Sequence, residues 1–391
     1  MPTGPVPTGA MPTGAVPTGA SLHDRARALW NAALAEAPGA RALVCYSSGR
    51  HFLTEADPVW WLTRLRPLGP AAAAVDDEGE VTLFVEPPQD LARAVEQVPC
   101  AEVRPGGSSE LSEWARRHGA RGGVALWGGH KLVARSAAAL AGALGTPTVV
   151  DEACESVSRR RDPADLARLV HATRLAHDAE AAFRAAARPG VAEFEVAAAV
   201  RAQLRRSGAG DVFLLVSSSQ HNLALHPPTD RVLAEGDLVL LELSPSVDGM
   251  FTQSCRTAVV GPAAGRLRDD YELLTASLVA GAAACCAGAA VADVVAVMDR
   301  VIGDGGYEEF CRPPHMRARG HGLGLASSLP GDLTRDSERR LVEGDVFVLH
   351  PNQYLPSSGY LLCGETLVVT AEGGRPLSGG FAPLAELGTG S

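Results

Sequence analysis

The hydrophobic and polar positions change their period several times along the chain. A helical period follows Ser21, and farther on two apolar runs, AAAAV and VTLFV, flank the polar segment DDEGE, which predicts a β-hairpin. Strand patterns alternate with helical patterns up to about Val150, and this alternation predicts a small α/β domain. A long amphipathic helix is predicted after Asp162-Pro163. We therefore place a domain boundary between residues 157 and 158.

A second hairpin is predicted in the C-terminal half. Residues 238–244 and 251–260 both alternate, and Asp248-Gly249 between them is a strong turn signal. With a two-residue loop, Glu242 lies opposite Cys255, and Ser244 lies opposite Gln253 on the same face. This face carries many polar groups. It is either a solvated surface or part of a functional site.

Further polar residues gather in the same half of the chain. His221 and His226 precede the hairpin, His321 lies in RGHGLGL, His350 ends a predicted strand, and Glu365 lies on the next strand. Each histidine alone is consistent with a structural role. Together with the polar face of the hairpin, they indicate a site.

Composition narrows the class of protein and of partner. The 391 residues are 46% hydrophobic and 20% charged, which is typical of a globular protein, and 391 residues suffice for roughly two to three domains. The net charge of -10 argues against nucleic acid or an anionic membrane as a partner, and no apolar run is long enough to span a membrane. Eight cysteines without a CxxC pair predict reduced thiols and a cytoplasmic location. The Pro-Thr-Gly repeat over residues 1–20 predicts a disordered tail.

Six segments in order carry a resemblance to a known family: RRDPADLARLVHA, RPGVAEFEVAA, the hairpin with the segment before it, GHGLGL, GDVFVLHP and GETLVVTAEGG. They resemble the pita-bread family of creatinase, prolidase, aminopeptidase P and methionine aminopeptidase. The resemblance implies an α+β pita-bread catalytic domain over residues 158–391 and a smaller α/β domain over residues 21–157. It also implies a homodimer, because Arg66 in WWLTRLRPLGP matches the arginine with which creatinase holds the substrate carboxylate of the neighbouring subunit.

Comparison with the family's metal ligands argues against its usual two-metal chemistry in this chain. Its metal-dependent members bind two divalent ions through two aspartates, one histidine and two glutamates. Those five positions carry Glu242, Gln253, His321, His350 and Gly364 in this sequence. Neither an amide nor a glycine bridges two cations. We therefore expect no cofactor.

The main hypothesis is a metal-independent, creatinase-like hydrolase or lyase that acts on a C–N bond of a small carboxylated amide or amidine. His226 would be the acid and base, since an unperturbed imidazole titrates near neutral pH. The other catalytic candidates are His321, Glu242 and His350. The predicted substrate contacts are Arg66, Gln253, Cys255, His221 and Glu365.

Two alternatives remain open. In the first, His321, His350 and Glu242 bind one Zn²⁺ or Fe²⁺ in an enzyme of Xaa-Pro peptidase descent, because two imidazoles and a carboxylate suit either ion. In the second, the chain is a pseudo-enzyme that binds a ligand without turnover. We predict an enzyme, a bacterial hydrolase of C–N bonds in a small molecule.

Overall fold

The computed structural model describes residues 20–49, 53, 56–120, 122–327 and 329–388. The chain divides between Asp162 and Pro163 into an N-terminal and a C-terminal unit. The sequence-based boundary at 157 and 158 falls at the end of the last helix of the N-terminal unit. The predicted disordered tail lies outside the described residues except for Ala20.

A six-stranded sheet with the order β4-β3-β2-β1-β5-β6 forms the centre of the N-terminal unit. β2 pairs antiparallel with both neighbours, whereas the other neighbouring strands pair in parallel. The predicted hairpin is therefore confirmed as β2 and β3. The strands are β1 (Ala42–Ser47), β2 (Ala71–Asp76), β3 (Val81–Val85), β4 (Glu102–Pro105), β5 (Val124–Trp127) and β6 (Thr148–Val149).

Among the described residues of the N-terminal unit, six helices accompany this sheet. The first begins after Ser21, whose hydroxyl accepts a hydrogen bond from the backbone N–H of Asp24 in a capping box. Trp114 and Leu111 from the fourth helix pack with Phe84 and Leu126 of the strands in a buried core. The helices are α1 (Leu22–Glu36), α2 (Pro58–Thr63), α3 (Pro88–Gln97), α4 (Ser108–Arg117), α5 (Ala134–Leu144) and α6 (Asp151–Ser158).

The C-terminal unit contains two larger sheets and one two-stranded ribbon. One sheet has the order β17-β10-β8-β7 with β9 paired to β8, the other has the order β11-β12-β15-β16, and β13 pairs with β14. Its strands are β7 (Val212–Ser219), β8 (Leu238–Val247), β9 (Met250–Phe251), β10 (Ser254–Val260), β11 (Gly320–Gly322), β12 (Val346–Leu349), β13 (Gln353–Leu355), β14 (Gly359–Leu361), β15 (Glu365–Val369), β16 (Gly374–Pro376) and β17 (Ala385–Leu387).

Four helices cover these sheets with two separate apolar cores. The first pair packs against the sheet of β8 and β10, and the second pair packs against the sheet of β12 and β15. The long helix predicted after Asp162 is the first of them. The helices are α7 (Pro163–Ala186), α8 (Glu193–Arg206), α9 (Gly265–Ala284) and α10 (Val291–Ile302). No helix in the described part of the chain is long and apolar enough to cross a membrane.

The second hairpin forms in the predicted register. Glu242 pairs with Cys255, and the turn at Asp248 and Gly249 has φ angles of 45° and 80°. The continuous strand predicted over residues 251–260 is wrong, because β9 ends at Phe251 and β10 begins at Ser254. At the break, the N–H of Gln253 donates to the side-chain Oγ1 of Thr366 on β15 at 2.9 Å instead of to a backbone carbonyl of a neighbouring strand.

Candidate active site

The two larger sheets meet beside the predicted polar face. Cys255 on β10 and Gly364, the residue before β15, exchange backbone hydrogen bonds, each with an N–O distance of 3.1 Å. A Cβ atom built on Gly364 would lie 2.8 Å from the Cβ of His350 and 3.1 Å from that of Cys255. Only glycine therefore lets the strands approach so closely, and His350 and Cys255 flank the same point.

Glu242 lies on β8 with its side chain in low-dielectric surroundings. Burial raises its pKa to about 7, and the Cys255 thiol, whose Sγ is 3.9 Å from Oε2, opposes the shift. Burial and the Glu242 charge keep the Cys255 pKa well above its ordinary value, so this thiol is neutral. Glu242 is consequently a carboxyl group that gains or loses a proton near neutral pH.

His321 and His350 come together on neighbouring strands, β11 and the end of β12. Their ring centroids are 5.4 Å apart. Burial lowers the pKa of His350 to about 3, with His321 adding to the shift, and burial also lowers the pKa of His321. Both imidazoles are therefore neutral at pH 7. His321 Nδ1 carries its proton, because it bonds the carbonyl oxygen of Gly322 at 2.9 Å, and so its Nε2 is left with a lone pair.

Gln253 is buried and held by several hydrogen bonds. Its Oε1 accepts from Ser244 Oγ at 3.1 Å, and its Nε2 lies 3.7 Å from Cys255 Sγ. The predicted polar face is thus buried and internally bonded, and the interpretation as a solvated surface is wrong. The hairpin brings Glu242, Cys255 and Gln253 together, and Gly364 brings them next to His350.

A buried arginine that the sequence reasoning missed binds the two sheets together. Arg256 on β10 contacts Glu180 Oε1 at 2.8 Å and Glu365 Oε1 at 2.6 Å, and it donates to the carbonyl of Gly364 at 2.8 Å. Burial opposes its charge, but the two carboxylates raise its pKa. Glu365 is therefore engaged by Arg256, and by His177 at 3.7 Å, so its predicted contact with substrate stays a prediction.

Three other predicted residues lie at different places. His226 is exposed, and its Nδ1 donates to the Pro227 carbonyl at 2.8 Å, which leaves Nε2 as the basic nitrogen. His221 is also exposed, and its Nε2 donates to the carbonyl of Pro356 at 3.1 Å. Arg66 belongs to the N-terminal unit, where Arg93 donates to its carbonyl.

Two more residues near the site were also missed. Asn352 accepts from the N–H of Cys363 at 3.0 Å and places its amide 3.9 Å from Cys255 Sγ. Burial and the Glu242 charge raise the pKa of Tyr360, which packs with Cys255 in a small apolar cluster. Asn352 and Tyr360 lie far from the hairpin in sequence, so no local pattern indicated that they are close to the site. Arg256, in contrast, could have been noticed as a charge within the otherwise uncharged strand SCRTAVV.

Comparison with known proteins identifies the family. The model of metallopeptidase family M24 matches residues 167–371, just over half of the 391 residues. The chain belongs to metallopeptidase family M24. The predicted resemblance is confirmed, and so is a hydrolase family as the class of enzyme.

Curated relatives match about half of the chain or slightly more. An uncharacterised peptidase of Bacillus subtilis, YqhT, is 24% identical over 232 residues, which cover 59% of this chain and 65% of the relative. A Xaa-Pro dipeptidase of Pyrococcus furiosus is 27% identical over 192 residues, 48% of this chain and 54% of that protein. The matched region thus spans less than two thirds of the length of these relatives.

Solved structures confirm the pita-bread fold for the M24 chain. A Xaa-Pro dipeptidase from Bacillus anthracis has a TM-score of 0.82 at 20% identity, covering 94% of this chain and 100% of that one. Dipeptidase PepE from Mycobacterium ulcerans has a TM-score of 0.76 at 24% identity, covering 94% of this chain and 99% of that one. At these identities the likeness shows the fold alone.

Membership of M24 corrects the expectation of no cofactor. That expectation is wrong, because the family is one of metallopeptidases. The metal-independent hypothesis depended on that expectation and is no longer supported. The metal-dependent alternative agrees better with the family.

The residues of the site fit two metal ions poorly. Gln253 offers an amide and Gly364 no side chain where the family has carboxylates, so nothing at these positions bridges a pair of cations. The donor chemistry suits one ion better, because Glu242 is a buried carboxyl and both imidazoles are neutral. His350 Nδ1 is buried without a hydrogen-bond partner. No group of three or more His, Cys, Asp or Glu side chains within the described ranges is gathered tightly enough to hold a metal.

Proposed function

We propose that this M24 protein hydrolyses a C–N bond of a small, carboxylated amide or peptide and uses a single divalent ion. The working groups are Glu242, His321 and His350, which would hold the ion only after moving closer together, because they are not gathered tightly enough in the described structure. The observation that carries the proposal is the position of one titrating carboxyl and two neutral imidazoles beside the junction of the two sheets at Gly364.

The protonation states of these groups suit hydrolysis near neutral pH. In the metal-free protein Glu242 has a pKa of about 7, so near neutral pH it readily gives up the proton that it must lose to bind an ion. His321 presents a lone pair at Nε2 because its Nδ1 proton is committed to Gly322. His226, whose Nδ1 bonds the Pro227 carbonyl, stays our candidate for the acid and base.

If Glu242, His321 and His350 held a divalent ion, it would supply Lewis-acid polarisation of the scissile carbonyl. The amide of Gln253 and the thiol of Cys255 are neutral, so we assign them to contact and position the substrate. Their hydrogen bonds with Ser244 and Asn352 fix their orientation without adding charge. The site consequently favours a neutral amide at its centre.

We propose a homodimer in which Arg66 of one subunit binds the substrate carboxylate at the site of the other. A guanidinium pairs with a carboxylate through two parallel hydrogen bonds, which makes Arg66 a determinant of specificity. His221 and Glu365 stay candidates for further contacts.

The function is tested by incubating the metal-loaded protein with a panel of Xaa-Pro dipeptides and N-acyl amino acids, with mass spectrometry of the products. We expect cleavage of at least one carboxylated substrate and about a hundredfold or greater loss of kcat in Glu242→Gln. His171→Asn, on the exposed side of α7, is the matched control and should retain full activity. Saturable binding without turnover of any substrate would instead support the pseudo-enzyme.

A further inference from the structure

A cavity lies within the N-terminal unit, and none of the residues of the proposed active site lines it. It has a volume of about 600 Å³, within the usual range of small-molecule sites. Residues at or just after the carboxyl ends of four parallel strands line it: Ser47 of β1, Glu86 after β3, Gly106 after β4 and Gly128 after β5. Open α/β sheets bind ligands outside this edge of the sheet.

The strand order also indicates a binding site at the carboxyl ends of these strands. From β1 the chain builds β2, β3 and β4 on one side of the sheet and then returns to build β5 and β6 on the other. The carboxyl ends of β1 and β5 are therefore a switch point, where two loops leave in opposite directions and open a crevice. Asp151 fixes the loop after β5, because its carboxylate accepts from the N–H groups of Gly128, Gly129 and His130 at 2.7 to 3.0 Å.

Charged residues line both ends of the cavity, and the end at β5 has Asp151 and Glu155 as well as Lys131 and Arg135. Lys131 and Arg135 lie in the loop after β5 and the first turn of α5, a helix whose N-terminus has no side-chain cap. The partial positive charge of that terminus adds to the two cations. Glu86 lies at the end of β3, three strand spacings from β5, or roughly 14 Å along the sheet edge. The carboxylate of Glu155 interacts electrostatically with Lys131 and offsets part of this positive charge.

Between these ends the cavity is lined by both aromatic and hydroxyl side chains. Tyr46, Trp127 and Phe84 supply aromatic surface, and Ser136 and Ser108 supply hydroxyl groups. An extended peptide covers about 3.3 to 3.6 Å per residue, so about four residues span the distance between the charged ends, and about three suffice when an ion pair of roughly 3 Å at each end is included. We propose that this cavity binds a short free peptide, with its carboxylate at Arg135 and Lys131 and its ammonium group at Glu86.

The test uses the fact that Lys131 is the only lysine of the chain. Reductive ¹³C-methylation of the full-length protein keeps the lysine charge and gives one lysine NMR signal besides that of the N-terminus. The probe is the tripeptide Ala-Leu-Ala, titrated into the wild type and into Glu242→Gln, in which cleavage at the active site cannot imitate binding. We expect a saturable shift of the Lys131 signal in both proteins.

Chemically blocked peptides and protein variants test whether the terminal charges of the peptide are recognised. The C-terminal amide and the N-acetyl form of the probe should bind about tenfold more weakly. Arg135→Ala and Glu86→Gln, both exposed positions, should weaken binding to a similar degree, whereas Arg117→Ala at the far end of α4 should not. A Lys131 signal that does not respond to Ala-Leu-Ala overturns the proposal. Equal binding of the blocked forms, or a response to inorganic phosphate alone, overturns it as well.

Discussion

At the scale of single residues, the proposal of a single ion depends on Gly364, which the resemblance matches to a metal-ligand position. The position lacks the carboxylate of the family, and its surroundings leave no room for one, because His350 and Cys255 pack against it. The missing side chain at position 364 thus explains both the absence of a carboxylate there and the close packing of its neighbours.

Restoring the carboxylate alone should therefore damage the protein. In Gly364→Glu, the new Cβ would lie 2.8 Å from His350 Cβ and 3.0 Å from the carbonyl oxygen of Leu349. We expect a loss of about 1 to 3 kcal/mol in the free energy of unfolding, measured by urea denaturation. Gly265→Glu, at the open start of α9, is the control and should change stability little. Unchanged stability in Gly364→Glu would contradict this account of the packing.

The buried carboxyl of Glu242 should give stability a particular dependence on pH. Its pKa in the folded protein is about 7, above the ordinary 4.5, so ionisation destabilises the folded state as pH rises through this window. In metal-free protein, Glu242→Gln should gain stability over wild type between about pH 5 and pH 8, up to about 3 kcal/mol, and none below pH 4.5. Thermal unfolding across this pH range measures the difference. A constant difference at every pH would show that Glu242 titrates normally.

At the scale of elements, Arg256 ties β10 to β15 and to α7. Its guanidinium contacts Glu365 and Glu180 and donates to the backbone of Gly364. These bonds fix the position of the strand that carries Cys255, and through it the hairpin that carries Glu242. The junction of the sheets thus depends on one buried cation.

Removal of that cation should be costly. Arg256→Met leaves two carboxylates buried without their partner, and we expect a loss of about 3 to 5 kcal/mol in the free energy of unfolding. Arg256→Lys should recover only part of it, since an ammonium group cannot reproduce the fork of contacts. Arg268→Ala removes the exposed pair with Glu386 and should cost less than about 1 kcal/mol. A similar small loss in Arg256→Met would refute the role of Arg256 as the link between sheets.

The hairpin shows what can be predicted about an element from sequence. Alternation and the Asp248-Gly249 turn specify the register of Glu242 and Cys255, because both signals are local. The break at Gln253 was not predictable, since it depends on Thr366, more than a hundred residues away. Burial of the polar face also depends on the second sheet, which the local pattern does not reveal.

At the scale of the whole molecule, six ordered motifs sufficed to predict the pita-bread fold, and the family confirms it. The cofactor was predicted wrongly because substituted ligands were interpreted as loss of all metal chemistry. The cavity of the N-terminal unit was not predicted, because its lining comes from several loops that are distant in sequence.

The proposed dimer makes a prediction for mixed subunits. Arg66→Ala and Glu242→Gln should each have little activity, since each removes one half of every composite site. After unfolding and refolding together in equal amounts, half of the dimers carry one intact site, and roughly a quarter of wild-type activity should return. Activity assays before and after mixing, with light scattering to confirm the dimer, provide the measurement. No recovery from a confirmed mixed dimer would exclude the contribution of Arg66 across subunits.

The number of metal ions per chain tests the central claim most directly. Tag-free protein is loaded separately with Mn²⁺, Zn²⁺ and Fe²⁺, desalted and analysed by mass spectrometry of the elements, beside His350→Ala and the control His171→Asn. The account predicts one tightly held equivalent of the preferred ion in the wild type and in His171→Asn, and its loss in His350→Ala. Two equivalents per chain, or none with any of the three ions, would contradict it.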